Sequence, residues 1–346
     1  MRAIILTSGI GFGTYIPSVI LMQQLKSVGV DVEIAILEKL FFERKQEKLL
    51  ENQREYCSDF KVAKVAMRIP AMKQNSNYDE AKINRLIEEW KKKNIEYFIV
   101  FSGNWKEILK KYERTQRIHL YCVHMDCIIS PSWKGFDLPY EKETWMIGKE
   151  DAEPDTKLYV DKGIVSFNNR EDQLLIHGGG WGLGLENINF DLEGISGYKI
   201  YKISSHRENK TNEIYKNLWT GEWNAYSNEY RKFPPLYYEN KDINEQDEHY
   251  VYKLEKESKA IISKPGGGTL CEGYMANVPI ILTEPLANHE KANGRKWEKL
   301  GFGINMSRWK ESNFSEEFLK DCYFKLYRSN LKTKNILWKE IYNWLS

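Results

Sequence analysis

Residues 260–273 read Ala260-Ile261-Ile262-Ser263-Lys264-Pro265-Gly266-Gly267-Gly268-Thr269-Leu270-Cys271-Glu272-Gly273, and this stretch decides how the chain is read. A short apolar run feeds three glycines, and a helix-like run, Leu270–Met275, follows. A strand that enters a glycine turn and then a helix is a device for holding phosphate. The glycines let backbone come close, and unpaired N–H groups at the helix N-terminus point at the anion. Glu272 sits one turn inside the helix, where a carboxylate can accept hydrogen bonds from a ribose. Lys264 adds a cation at the mouth of the turn. The stretch predicts a bound nucleotide.

Working outward, strand-like and helix-like segments alternate. Ala3–Thr7, Val32–Leu37, Tyr97–Phe101 and Ile118–Val123 read as strands; Pro17–Val28, with proline near its first turn, and Asp79–Lys93 read as helices. The second half repeats the plan, with strands at Leu174–His177, Tyr198–Ile203, Ala260–Ser263, Pro279–Thr283 and Gly303–Asn305. Helices are expected at Thr269–Met275 and Lys291–Leu300, and near Ser315–Tyr327 and Lys332–Leu345. Such alternation predicts an α/β chain of two doubly wound, Rossmann-like halves facing across a cleft. Each half opens with a strand and a glycine loop: Ser8–Thr14 in the first, Gly178–Gly184 in the second. Gly11, Gly13, Thr14, Gly179 and Gly180 are the residues of these loops expected to face phosphate. The polar stretch Asn168–Asp172 marks the break. Residues 1–170 form the expected first domain, 171–330 the second, and 331–346 a closing helix that packs back toward the first. The region Glu208–Glu248 is polar and aromatic and shows no assignable period.

Length and composition set bounds. A chain of 346 residues is long for one core. Hydrophobic content of 42% and charged content of 29% are those of a soluble globular protein. No apolar run reaches the ~18 residues of a membrane span. The N-terminus is too soon broken by Gly9 to read as a signal peptide. Five scattered cysteines predict free thiols in a reducing cytoplasm. A net charge of +2 gives no electrostatic reason to expect nucleic acid as a partner. Between Lys61 and Arg117, however, fourteen Lys and Arg stand against seven Asp and Glu, a local excess of +7. That stretch, 61–117, reads either as solvated helix faces or as a surface for peripheral contact with anionic lipid at the inner face of a membrane. A monomer or weak dimer is expected.

The blocks around the glycine turn resemble a GT-B glycosyltransferase. The resemblance is to the branch of UDP-sugar-dependent enzymes containing the lipid II-forming N-acetylglucosaminyltransferase and the monogalactosyldiacylglycerol synthases. It rests on the order and spacing of Ile261–Gly273, Val278-Pro279-Ile280-Ile281-Leu282, Pro285-Leu286-Ala287-Asn288-His289-Glu290-Lys291-Ala292-Asn293 and Leu300-Gly301-Phe302-Gly303. It implies that Gly266, Gly267, Gly268 and Thr269 face the diphosphate of a UDP-sugar and that Glu272 binds the ribose. It places His289 and Glu290 at the donor sugar's hydroxyls and Asn293 a turn further on. No cofactor beyond the UDP-sugar co-substrate and no metal are implied.

A second block, Cys122-Val123-His124-Met125-Asp126-Cys127-Ile128-Ile129-Ser130-Pro131-Ser132-Trp133, resembles the family's strand-end segment. His124 and Asp126 fall just past an apolar strand, where catalytic groups sit in such sheets. His119, Cys122, His124 and Cys127 also suggest a metal site, but alternation along a strand sends neighbours to opposite faces. The first loop departs from the family pattern. Thr14 and Gly9 stand where a His or an Asp is usual, and neither takes a proton at neutral pH. The general base therefore falls to Asp126 first and His124 second, with Asp137 and Glu141 further along the loop. The implied reaction is inverting, metal-independent transfer of a hexose-type sugar to a small-molecule or lipid acceptor. A nucleotide-sugar hydrolase or epimerase on the same fold, and a non-catalytic nucleotide-sugar-binding subunit, stand as alternatives.

Overall fold

β1 (Arg2–Thr7) is apolar on both faces because it lies inside a parallel sheet, with β2 (Asp31–Ile36) on one side and β3 (Tyr97–Val100) on the other. β4 (His119–His124) and β5 (Lys142–Trp145) extend that sheet in the order β2-β1-β3-β4-β5. The computed structural model describes residues 2–66, 77–179, 182–185, 192–208, 214–227, 231–245 and 247–346. The sequence-predicted Gly180 lies outside the described residues.

The helix Tyr15–Ser27 follows the first glycine loop. The helix Glu80–Lys92 starts at Asp79, whose carboxylate accepts the Ala81 N–H at 2.9 Å and so caps an end that would otherwise be unsatisfied. Its buried residues Ile83, Ile87 and Trp90 recur at spacings of four and three, one stripe facing the sheet. Two further helices, Glu43–Ser58 and Phe60–Ala66, stand between β2 and β3. Apolar periodicity missed both, because the first buries only Leu49 and Gln53.

A two-stranded ribbon of β6 (Thr156–Lys157) and β15 (Asn335–Ile336) ties the passage between the halves to the chain's end. The second sheet runs β11-β10-β9-β8-β7-β12-β13-β14. Its strands are β7 (Gln173–His177), β8 (Lys199–Ser204), β9 (Lys216–Trp219), β10 (Tyr237–Tyr238), β11 (Lys241–Asp242), β12 (Ala260–Ser263), β13 (Ile280–Leu282) and β14 (Gly303–Asn305). The β7 to β9 and β12 to β14 pairings are parallel; β10 and β11 add an antiparallel edge. Strand order reverses next to β1 in the first sheet and next to β7 in the second, the positions at which open α/β sheets take ligands.

The two halves pack into one apolar body. Ile261, Leu270, Tyr274 and Trp297 belong to the same buried cluster as Ile5, Val123 and Met125. The closing helix Leu337–Leu345 buries Leu337, Ile341 and Leu345 against the first half, and Trp344 Nε1 donates to Glu141 Oε2 at 2.8 Å. Cys122, Cys127, Cys271 and Cys322 are buried free thiols. The region without a period in sequence, 208–248, supplies the edge strands and a bridge. Trp223 packs on Phe12 and Tyr15 at centroid distances of 5.4 and 5.7 Å.

Candidate functional site

β12 delivers the chain into Gly266, after which the helix Gly267–Ala276 begins. No side chain caps that helix, so its first N–H groups stay available to an anion. The cleft in front of it has a volume of about 480 Å³ and is lined from both halves. Gly266, Gly267, Gly268, Thr269, Glu272, His289, Glu290 and Lys264 line it from the second half, and Gly11, Gly13, Thr14 and Asp126 from the first. His177, Gly178, Gly179 and Gly182 form a further wall.

Two of the three glycines have a reason beyond phosphate. A Cβ on Gly267 would lie 2.3 Å from the Met125 carbonyl oxygen and 3.0 Å from Asp126 Oδ1. One on Gly268 would lie 3.0 Å from the Gly13 Cα. The glycine turn is where the backbones of the two halves meet.

The polar side chains are held in place. Glu290 pairs with Lys264 and accepts the Leu286 N–H at 2.7 Å. Burial opposes its ionisation, but Lys264, Leu286 and His289 outweigh burial and hold its carboxyl below the ordinary range. Glu272 is buried, and its Oε1 lies 2.8 Å from His249 Nε2. Asp126 sits against the other side of the turn. Burial pushes its carboxyl above the ordinary range, opposed by His289 and by the hydrogen bond from Asn293.

The structure does not bring every expected residue to the cleft. His124 is buried in the first half, stacked on Trp145 at 4.2 Å and close to Trp133 at 4.3 Å. Burial lowers its pKa to about 4, and it is absent from the cleft lining, so it is a core histidine and not a base. β4 ends at His124, so strand alternation no longer governs Asp126, which lies two residues beyond the strand and faces the other half. Asp137 pairs with Lys110 at 2.8 Å, and Glu141 with His119 at 2.5 Å; neither lines the cleft. The resemblance places Asn293 at the donor sugar. In the structure it is fully buried, and its amide is taken up by Asp126, Cys127 and Pro265. Thr14 does line the cleft, its hydroxyl donating to the Ser8 carbonyl at 3.3 Å. Among the described residues no three His, Cys, Asp or Glu side chains gather as a metal-ligand set.

Several residues went unread in sequence. Glu38, buried just past β2, accepts from Ser8 Oγ and from the Gly9 N–H, both at 2.6 Å, and so shapes the first glycine loop. Its only signal is a carboxylate closing the apolar run Ile34-Ala35-Ile36-Leu37. Lys296 is buried and donates to the Ile147, Gly148 and Lys149 carbonyls at 2.6, 2.7 and 2.5 Å, pinning the helix Asn288–Leu300 to the first half. The helix Phe60–Ala66 also crosses over: Phe60 lies against Gly184 and Lys64 pairs with Glu284. Part of the basic excess of 61–117 is met by acids outside the stretch, Glu284, Glu33 and Asp137. Lys91, Lys93, Lys110 and Lys111 pair with Glu88, Glu33, Asp137 and Glu80. No helix among the described residues is long and apolar enough to cross a membrane.

No protein-family model matches the sequence, and no curated protein matches it. Solved structures do. MurG of Acinetobacter baumannii superposes with a TM-score of 0.54 at 12% identity, covering 98% of this chain and 97% of MurG. The glycosyltransferase SnogD of Streptomyces nogalater gives 0.57 at 11% identity, covering 100% and 98%. The glycosyltransferase SsfS6 of Streptomyces sp. SF2575, solved with thymidine diphosphate, gives 0.58 at 11% identity, covering 99% of each chain. The chain has the GT-B fold. In GT-B terms, the second half carries the glycine turn and the first half the facing loop, and their shared cleft is the one lined by Asp126 and Glu272.

Proposed function

We propose that the chain is a glycosyltransferase that moves a sugar from a UDP-sugar to an acceptor hydroxyl, with inversion and without a metal. The observation that carries the reading is the assembly at the glycine turn. The uncapped helix N-terminus, Lys264, Glu272, His289 and Glu290 open on one cleft, opposite a half-buried carboxylate, Asp126. A leaving diphosphate gathers negative charge, and N–H groups already aimed at it need no reorganisation. Glu272 takes the ribose; His289 and Glu290 take hydroxyls of a hexose-type sugar. Asp126, its pKa raised by burial, receives the acceptor proton as the oxygen attacks the anomeric carbon. The solved thymidine diphosphate complex of SsfS6 supports a nucleoside diphosphate as the ligand class.

The first-half wall bears on the acceptor. Ile10, Phe12, Ile16, Leu49, Tyr56 and Ala63 line it, an apolar surface that suits an acceptor with an apolar body, either a small molecule or a lipid. Thermal denaturation with UDP, TDP, GDP and their sugars tests the reading, since a ligand that binds only the folded chain raises its stability. UDP and at least one UDP-sugar are expected to raise the midpoint. If no nucleoside diphosphate or nucleotide sugar does so, the cleft is not a donor site. Release of free sugar from a stabilising donor, at the same rate with and without acceptors, would point to hydrolysis instead.

A further inference from the structure

His249 stands at the N-terminal end of the helix Tyr250–Glu257, yet its side chain does not cap that helix. It turns instead to Glu272, with Nε2 2.8 Å from Oε1. The imidazole lies flat on Phe233, with ring centroids 5.1 Å apart and planes within 2° of parallel. Both members of the pair are nearly enclosed: 13% of the His249 side chain and 10% of the Glu272 side chain are exposed. His249 Nδ1 is buried without a hydrogen-bond partner among the described residues, so the polar contact of this ring is the one to Glu272.

The other end of the same short helix reaches a second cleft residue. Glu255 is fully buried, with Oε1 3.2 Å from His177 Nε2. His177 Nδ1 accepts the Gly179 N–H at 3.3 Å, which places the imidazole hydrogen on Nε2; the approach of Nε2 to Glu255 does not have hydrogen-bond geometry. Burial foremost, and then the charge of Glu272, push the Glu255 carboxyl well above its ordinary pKa. Burial lowers His177 to about 4. His177 is therefore neutral at pH 7, and burial disfavours a charge on Glu255.

We propose that His249, backed by Phe233, is a positioning and specificity residue of the ribose subsite. It donates Nε2–H to Glu272 Oε1 and fixes the carboxylate so that Oε2 and the remaining lone pair of Oε1 meet the two ribose hydroxyls. The proposal rests on the nucleotide reading of the cleft given above. Its chemistry is simple. An ionised carboxylate offers about four acceptor sites, and one of them is occupied by His249. A ribose diol fills two more in a fixed orientation; a 2′-deoxyribose fills one. Without the imidazole donor the carboxylate turns freely, and the distinction between the two sugars fades.

The test uses the full chain with UDP and 2′-deoxy-UDP as probes, measured by calorimetry. The parent is expected to bind UDP ~10-fold or more tightly than 2′-deoxy-UDP, a difference of about 1.4 kcal/mol. His249→Phe keeps a ring on Phe233 and removes the donor; it is expected to bring the ratio close to unity by weakening UDP alone. His249→Gln keeps a donor and loses the ring, and is expected to recover part of the ratio. A merely structural role would weaken both probes equally. Equal weakening in His249→Phe, a ratio unchanged from the parent, or a parent that does not discriminate would each overturn the proposal. Glu272→Ala separates this from failure of the nucleotide reading. Unchanged UDP affinity in Glu272→Ala removes the nucleotide site itself. Weakened UDP in Glu272→Ala beside a parent-like ratio in His249→Phe removes only the role of His249.

Discussion

Asn293 Nδ2 donates to Asp126 Oδ1 at 2.8 Å, and through this bond the helix that carries His289 and Glu290 holds the loop that follows β4. The same side chain accepts the Cys127 N–H at 3.0 Å and donates to the Pro265 carbonyl at 3.1 Å. Through Asn293 the helix Asn288–Leu300, the glycine turn and the loop of Asp126 are tied together. Lys296, one turn further along the same helix, adds its three carbonyl contacts to the first half.

Asn293→Ala is expected to lower the transfer rate while largely sparing UDP affinity. It strips a half-buried carboxylate of its donor, an interaction whose loss costs about 1–3 kcal/mol. If that amount falls on the reacting geometry, turnover drops roughly 10- to 100-fold. The check is kcat beside the calorimetric affinity for UDP. A parent-like kcat would show that the bond does not position Asp126 for the reaction.

Asp126 sets the acid side of the pH profile. Burial raises its pKa above the ordinary aspartate value near 3.9, and a base works only when deprotonated, so kcat/KM rises with pH through that raised pKa. The acid limb is expected at higher pH than an ordinary aspartate would give. Asp126→Asn is expected to abolish this limb and to lower turnover by about 10²- to 10⁴-fold, the usual range for a general base. Survival of the same limb in the Asn variant would assign it to another group.

Gly267→Ala tests the meeting of the two backbones. The added Cβ would sit 2.3 Å from the Met125 carbonyl, so either the turn or the β4 end must shift. Overpacking of this kind costs about 1–3 kcal/mol. A lower unfolding midpoint and a lower transfer rate are expected together. A variant with parent-like stability and turnover would mean that the halves separate freely at this point.

His124 predicts a pH dependence of stability. Its folded pKa is lowered to about 4 by burial, against about 6.5 in the unfolded chain. Below 6.5 the unfolded chain binds the proton more readily than the folded one. The full stability is thus present above pH 6.5 and is lost as pH falls toward 4, by up to about 3 kcal/mol for this group. His124→Phe, which keeps an aromatic ring between Trp133 and Trp145, is expected to flatten that part of the stability curve. An unchanged slope from pH 6.5 to 4 would place the proton uptake elsewhere; His177, with the same lowered pKa, is the next group to replace.

The fold was legible where local pattern and burial agree. β1 and β12 are short apolar runs followed by polar residues, and the structure places each in a parallel sheet. The glycine turn was legible because a strand, three glycines and a helix have few other uses. Local pattern failed at Glu43–Ser58, whose wide polar surface hides its helical period, and at Trp223, which packs on Phe12 and Tyr15 of the other half.

The sequence alone determined two Rossmann-like halves, a glycine turn between strand and helix, and Glu272 beside it. These follow from periods of two and 3.6 residues and from glycine, all local properties of the chain. Only the tertiary structure decided that His124 is core and Asp126 faces the cleft, that Asn293 joins the halves, and that His249 reaches Glu272. Each of those facts is a contact between residues far apart in the chain, and no local pattern records which distant group a buried polar atom will find.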